Sequence, residues 1–187
     1  MANPRGSVVI AGKYRLGRAL ARGGMGAVWQ AHHLQLDMPV AIKFMDAGMA
    51  NDARARARFE REARSAALIR SPHVVQILDH GVDSGMHYIV MELLEGENLG
   101  DRLRRDRRLT IPDAANICLQ VAKALRRAHE AGIIHRDLKP TNIFLHRDRD
   151  GATLPKVLDF GVSKVLEDES SHALTMAVAF ARIVRIG

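Results

Sequence analysis

His135-Arg136-Asp137-Leu138-Lys139-Pro140-Thr141-Asn142, followed seventeen residues after Asn142 by Asp159-Phe160-Gly161, is the stretch on which the fold of this chain turns. Eight residues bring together a potential base, a lysine suited to a phosphate, and an amide able to ligate a metal. Asp-Phe-Gly alone is a common turn. Its weight comes from standing behind three other motifs in one order.

Two of those motifs lie upstream. Val40-Ala41-Ile42-Lys43 reads as a strand whose alternation puts Val40, Ile42 and Phe44 on one face and Ala41 with Lys43 on the other. Residues 52–70 have helical period. Phe59, Glu62, Ala66 and Ile69, spaced by three and four, share one helix face. A single acid on an apolar face needs a cationic partner, and Lys43 is the nearest candidate by topology. Leu20-Ala21-Arg22-Gly23-Gly24-Met25-Gly26-Ala27-Val28 reads as a glycine-rich hairpin, where Gly23 and Gly26 let backbone approach a phosphate closely.

The remaining pattern is strand-like at 14–20, 27–33 and 39–45, then at Val74–Leu78 and His87–Leu94 around a turn holding Gly81, Asp83, Ser84 and Gly85. After Gly96 the texture becomes helical. A short basic helix is expected over 98–105, and a longer one begins at Thr110-Ile111-Pro112-Asp113, with a threonine cap, an early proline and an acid near the positive end. Ala114, Ile117, Cys118, Val121, Leu125 and Ala128 recur at helical spacing, Cys118 as a small buried filler, and Gly132 stops the run. Short strands are expected around 143–145 and 156–158. The sequence thus divides into a loose lead-in (1–13), a mostly β first lobe (14–95), a helical second lobe (96–175) and a tail (176–187).

Composition bounds the class. The 187 residues are 47% hydrophobic and 26% charged, which is globular. One cysteine excludes an intrachain disulfide and a multi-cysteine metal site. There is no run of 18 apolar residues and no signal-like start, so a cytoplasmic, reducing setting is expected. The net charge of +7 raises the question of anionic partners. Arg102, Arg104, Arg105, Arg107 and Arg108 read as a solvated helix face, since aromatics make up only 4% of the chain and none interleave. No nucleic-acid partner is expected.

Together the four motifs resemble the eukaryotic-type Ser/Thr protein kinases, most closely their bacterial members, over roughly residues 14–165. Lys139-Pro140-Thr141-Asn142 is similar to the Ser/Thr rather than the tyrosine branch. The resemblance implies an α+β, two-lobed protein-kinase-like fold, with ATP and Mg²⁺ (Mn²⁺ as an alternative) and proteins bearing Ser/Thr as substrates. It places Leu20, Ala21, Gly23 and Gly26 over the nucleotide, the two glycines at its phosphates, with Val28 and Ala41 against adenine. Lys43, held by Glu62, would grip phosphates, and Met91 would guard the back of the pocket. Glu92 to Leu94 would form the hinge, and Phe144 with Leu158 the pocket floor. Asp137 would accept the hydroxyl proton and Lys139 would steady the phosphoryl group. Asn142 and Asp159 would hold the metal. Arg136 would meet a phosphate on the activation segment.

Two features depart from the pattern. Ala21 stands at the first glycine position of the hairpin, a tolerable change because the later glycines are nearer the phosphates. After Val162–Thr175, a plausible activation segment with Ser163, Ser170, Ser171 and Thr175 as possible phosphoacceptors, residues 176–187 match nothing in the family pattern. The expectation is a kinase domain cut inside its activation segment, from a parent that could be membrane-tethered. The competing reading is a catalytically incompetent fragment that binds ATP or a partner.

Overall fold

The computed structural model describes residues 8–23, 26–49, 52–148 and 150–160. The chain divides into two compact units, Met1–Ala63 with Gln76–Leu93, and Arg64–Val75 with Leu94–Gly187.

In the first unit, strands β1 (Val9–Ile10), β2 (Tyr14–Gly23), β3 (Gly26–His33), β4 (Met38–Met45), β5 (Ile77–Asp83) and β6 (Met86–Glu92) make one sheet in the order β1-β2-β3-β4-β6-β5. All its pairings are antiparallel. Strand β4 lies inside the sheet, and its period of two separates two packing faces. Val40, Ile42 and Phe44 join Ile10, Tyr14, Ala31, Tyr88 and Val90 in one cluster. On the opposite face Met45 and Ile89 pack against Ala55, Phe59 and Ala63 of helix α1 (Ala53–Leu68). Alternating alanine and arginine at its start give α1 strong helical propensity, and Ser71-Pro72 follows its end. Tyr14, fully buried, donates its hydroxyl to Asp79 Oδ2 at 2.7 Å, tying β2 to β5.

In the second unit, β7 (Gly96–Asn98), β8 (Ile143–Arg147) and β9 (Thr153–Val157) form a three-stranded antiparallel sheet. Helix α2 (Leu99–Asp106) is capped by Asn98, whose side chain accepts from the Asp101 amide at 2.9 Å. Helix α3 (Ile111–Glu130) is capped by Thr110, which accepts from the Asp113 amide at 3.2 Å. Gly132, at φ 71°, follows its end. Ile117, Val121, Ala124, Leu125 and Ala128 form its buried stripe, and α3 packs on β9. Cys118 is only half-buried, so it is less of a core filler than its spacing predicts.

The differences from the sequence reading have physical causes. Val74 and Val75, expected to open a strand running to Leu78, pair instead with Val157. Val75 N–H donates to the Val157 carbonyl at 3.1 Å, and Val157 N–H donates to the His73 carbonyl at 2.8 Å. Their β propensity is real, but the partner is 82 residues away, and β5 starts later. Gly81 and Asp83 are in β5 rather than in the turn, which Ser84 and Gly85 make with positive φ. Gly81 has a packing role: a Cβ there would lie 2.6 Å from the Tyr88 hydroxyl. Val9–Ile10 in the expected lead-in, and Gly96–Asn98, are strands too short to show any period.

Gly96 combines φ 132° with a position where a Cβ would meet the Leu145 carbonyl oxygen at 2.1 Å, whereas Gly85, at φ 79°, has open space around it. Gly85→Ala is therefore expected to cost about 1 kcal/mol, from the left-handed backbone alone. Gly96→Ala adds a backbone clash and is expected to cost about 3 kcal/mol or more. Urea denaturation of the two variants checks the ranking, and equal losses would contradict it.

Candidate active site

The first unit gathers the glycine hairpin and the lysine on one sheet face. Ala21 is opposite Val28, Val28 opposite Lys43, and Ala41 opposite Met91, so these five share the face that also meets α1. Lys43 Nζ donates to Glu62 Oε1 at 2.6 Å, and both residues are buried. The pair satisfies two charges that neither the strand nor the helix could bury alone. Leu20, Ala21 and Gly23 are exposed along β2. Gly26 has a packing task of its own: with φ 139°, a Cβ there would sit 1.8 Å from the Phe44 carbonyl oxygen. It is what lets β3 close on β4. Glu92 ends β6, donating its N–H to the Gln76 carbonyl at 3.0 Å while its carboxylate accepts from the Gln76 amide at 2.8 Å.

The second unit assembles the quoted motif into a hydrogen-bonded cluster. Lys139 Nζ donates to Asp137 Oδ2 at 2.7 Å, and Asn142 Nδ2 donates to the Asp137 carbonyl at 2.9 Å and to Oδ2 at 3.3 Å. Asn142 is buried at the end of a short 3₁₀ turn (Pro140–Asn142), whereas Asp137 and Lys139 stay about half exposed. The Leu158 N–H donates to the Asn142 carbonyl at 2.9 Å, so Asp159 follows directly on the residue tied to Asn142. That one backbone bond closes the gap of seventeen residues. Phe144 on β8 and Leu158 after β9 are half-buried, as is Leu94. Arg136 and Asp159 hold positive φ (60° and 52°), a conformation non-glycine residues adopt only when their surroundings fix it. Gly161 and the expected activation segment and tail lie outside the described residues.

His135 has a positioning role that its place in the motif does not reveal. His135 is buried, its Nε2 donates to the Leu158 carbonyl at 2.8 Å, and its Nδ1 accepts from the Asp137 amide at 3.3 Å. Its ring also packs on Phe160, centroids 4.8 Å apart. One donor and one acceptor suit a neutral imidazole. Burial pushes its pKa below the ordinary value, against the opposing pull of the Leu158 carbonyl and the Asp159 and Asp137 carboxylates. His135 therefore fastens both acid-bearing loops at once. Its apolar setting after Ile133-Ile134 was the signal: a polar ring in such a run must find partners inside.

Asn142 turns its amide nitrogen to Asp137, which leaves its oxygen as a donor for a cation, and Asp159 adds carboxylate oxygens. Oxygen-only donors fit a hard divalent ion such as Mg²⁺. Among the described residues there is no cluster of three or more His, Cys, Asp or Glu of the kind that holds a softer metal.

His73 resembles His135 electrostatically. It is buried, its Nδ1 meets the Pro155 carbonyl at 3.2 Å, and burial lowers its pKa. Both imidazoles have an ordinary value of 6.5 and a lower one when folded. The unfolded chain therefore binds protons first. Their stabilising contribution is full above that value and is lost as pH falls below it. The urea midpoint is expected to drop between about pH 7.5 and about pH 5.5, less steeply in His73→Gln than in the parent. Identical slopes would rule out a contribution from His73.

With this geometry in place, comparison with known proteins is direct. The family model for the protein kinase domain matches residues 14–181, reaching six residues into the segment 176–187 that the motifs alone had set apart. The chain is 44% identical over 167 residues to the serine/threonine-protein kinase PknH of Mycobacterium bovis, covering 89% of this chain and 27% of that protein. It is 40% identical over 170 residues to the serine/threonine-protein kinase pkn3 of Myxococcus xanthus, covering 90% and 31%. The chain thus spans about a quarter to a third of these relatives. Among solved structures, the PknI kinase domain of Mycobacterium tuberculosis matches with a TM-score of 0.72 at 32% identity, over 84% of this chain and 63% of that one. The sheet, the helix that carries Glu62 and the Asp137 cluster are therefore those of the bacterial serine/threonine branch of the protein kinase family, to which this chain belongs.

Proposed function

We propose that this chain carries the nucleotide-binding and catalytic-loop segments of a kinase that moves the γ-phosphoryl group of ATP to a serine or threonine hydroxyl of a protein. The observation that carries this reading is the Asp137–Lys139–Asn142 cluster, a carboxylate held in place by a cation and an amide. The acceptor class is supported by the relatives, which are serine/threonine-protein kinases. ATP as donor implies a cytoplasmic setting.

Phosphoryl transfer asks for positioning and charge neutralisation rather than covalent chemistry. The acceptor oxygen attacks the γ-phosphorus, the bond from that phosphorus to the β–γ bridging oxygen breaks, and ADP leaves. Asp137 takes the hydroxyl proton, and its two hydrogen bonds aim the carboxylate for that task. Lys139, 2.7 Å from Asp137, brings positive charge to the transferring group. Lys43 grips the α/β-phosphates, its position set by Glu62. Gly23 and Gly26 bring backbone over the phosphates, with Leu20 and Ala21 beside them. Val28, Ala41, Met91, Phe144 and Leu158 offer the apolar surface for adenine, and Glu92 to Leu94 its backbone partners. Asn142 and Asp159 hold Mg²⁺ or Mn²⁺, which supplies the positive charge that screens the phosphates.

ATP–Mg²⁺ at 100 times its Kd is expected to stabilise the chain by about 2.7 kcal/mol, read as a rise in Tm, and Lys43→Met to reduce that rise. No rise would overturn the reading. In a phosphate-transfer assay with a generic protein substrate, Asp137→Asn is expected to lower the rate by about 10²–10⁴-fold while the Tm rise persists. Nucleotide binding without any transfer by the parent chain would reduce the reading to an ATP-binding segment.

A further inference from the structure

A polar cavity of about 330 Å³ opens within the second unit, lined by Gly96, Glu97, Arg102, Arg105, Leu145, Arg147 and Thr153. Its volume is at the small end for ligand sites, adequate for a phosphate-sized group. None of these residues belongs to the machinery described above. The geometry points to a binding site for a phosphate dianion.

The charges of the lining do not cancel. Arg105 grips Glu97 with both terminal nitrogens, at 2.5 and 2.9 Å, and its Nε donates to Asp106 Oδ1 at 2.9 Å. The two terminal nitrogens saturate one side of Glu97, and with Nε on Asp106 they lock the wall of the cavity. Arg102 is held less completely. Its Nη1 stands 3.9 Å from Glu97, too far for a hydrogen bond. Its Nε is paired with Asp106 Oδ2, so among the described residues it is the terminal nitrogens of Arg102 that lack a hydrogen-bond acceptor. Arg147 makes no ion pair among the described residues. Three guanidiniums thus face two carboxylates, and the unspent donors belong to Arg102 and Arg147.

The fold places those donors around one point. Arg147 and Thr153 are directly opposed in the β8–β9 ladder, so a guanidinium and a hydroxyl stand side by side on one face of the sheet. Glu97 is opposite Leu145, two residues along β8 from Arg147 on the same face, and so links that face to the α2 arginines. A carboxylate ligand would use a single fork. A phosphate has three terminal oxygens and a charge near −2, which matches two guanidiniums, one hydroxyl and a local excess of positive charge. The dianion can arrive on a phosphorylated peptide or as free phosphate.

The test uses the 187-residue chain without nucleotide. The probes are a fluorescent peptide with one phosphothreonine, its unphosphorylated twin, and inorganic phosphate as competitor. Binding of the phosphopeptide is expected to exceed that of the twin by about tenfold or more, and to fall about tenfold in Arg147→Ala. Arg147 is exposed, so its removal leaves the fold intact, and Arg102→Lys, which keeps the charge but loses the fork, is expected to weaken binding as well. Arg126→Ala, an exposed arginine of α3 outside the cavity, is expected to leave it unchanged. Competition by inorganic phosphate at the concentration of the peptide supports the site with free phosphate as its ligand. Displacement only by phosphopeptide supports it with a peptide ligand. Equal binding of both peptides, indifference to Arg147→Ala, or an equal loss in Arg126→Ala would overturn the proposal.

Discussion

Burying the Lys43 ammonium against the Glu62 carboxylate, 2.6 Å apart, is the constraint to which the first unit is built. A lone charge at either position would be costly to bury, and breaking such a pair typically costs about 3–5 kcal/mol. The two charges come from different elements, so β4 and α1 have to dock in one register for both to be satisfied. The cluster of Met45, Phe59, Ala63 and Ile89 supplies the apolar closure beside them. Gly26 serves the same end from the other side, since only a residue without Cβ lets β3 lie against the Phe44 carbonyl. The glycine hairpin and the strand that presents the lysine are consequently one mechanical piece.

The second unit uses a different device. Its acids are solvent-accessible, and what needs holding is their direction. His135 does this by donating to Leu158 and accepting from Asp137, while the Asn142 carbonyl accepts from Leu158. Two loops distant in sequence are bound to one buried ring and one backbone bond. The strained backbone at Arg136 and Asp159 is the local cost of presenting these side chains, and the surrounding bonds hold it in place.

Legibility in the sequence followed the range of the interactions. Helix α3 was readable to its ends because Thr110, Pro112, Asp113 and Gly132 act within a turn of the positions they mark. The face of α1 bearing Phe59, Glu62 and Ala66, continued by Ile69 just past its end, was readable because helical period is local, and all four are buried. The β5 boundary was not, since Val74 and Val75 answer to Val157. Strands of two and three residues such as β1 and β7 exist only through their partners. The arginines of α2 read as a solvated face. Their convergence with Arg147 and Thr153 depends on β8 and β9 returning to them, which no spacing within α2 reveals.

The sequence by itself determined the chemistry on offer and its order along the chain: which residues can carry a proton, face a phosphate or ligate a cation. It also determined the helices, whose period and caps are written within a few residues. The spacing of α1 already pointed Glu62 at Lys43, and the fold carried that pairing out. Only the tertiary structure decided that Asn142 and Asp159 are joined through Leu158, and that His135 fastens both acid loops. Those facts rest on the bonds of Leu158 to Asn142 and to His135, 16 and 23 positions away, and a chain reaches such partners only when the intervening strands have packed.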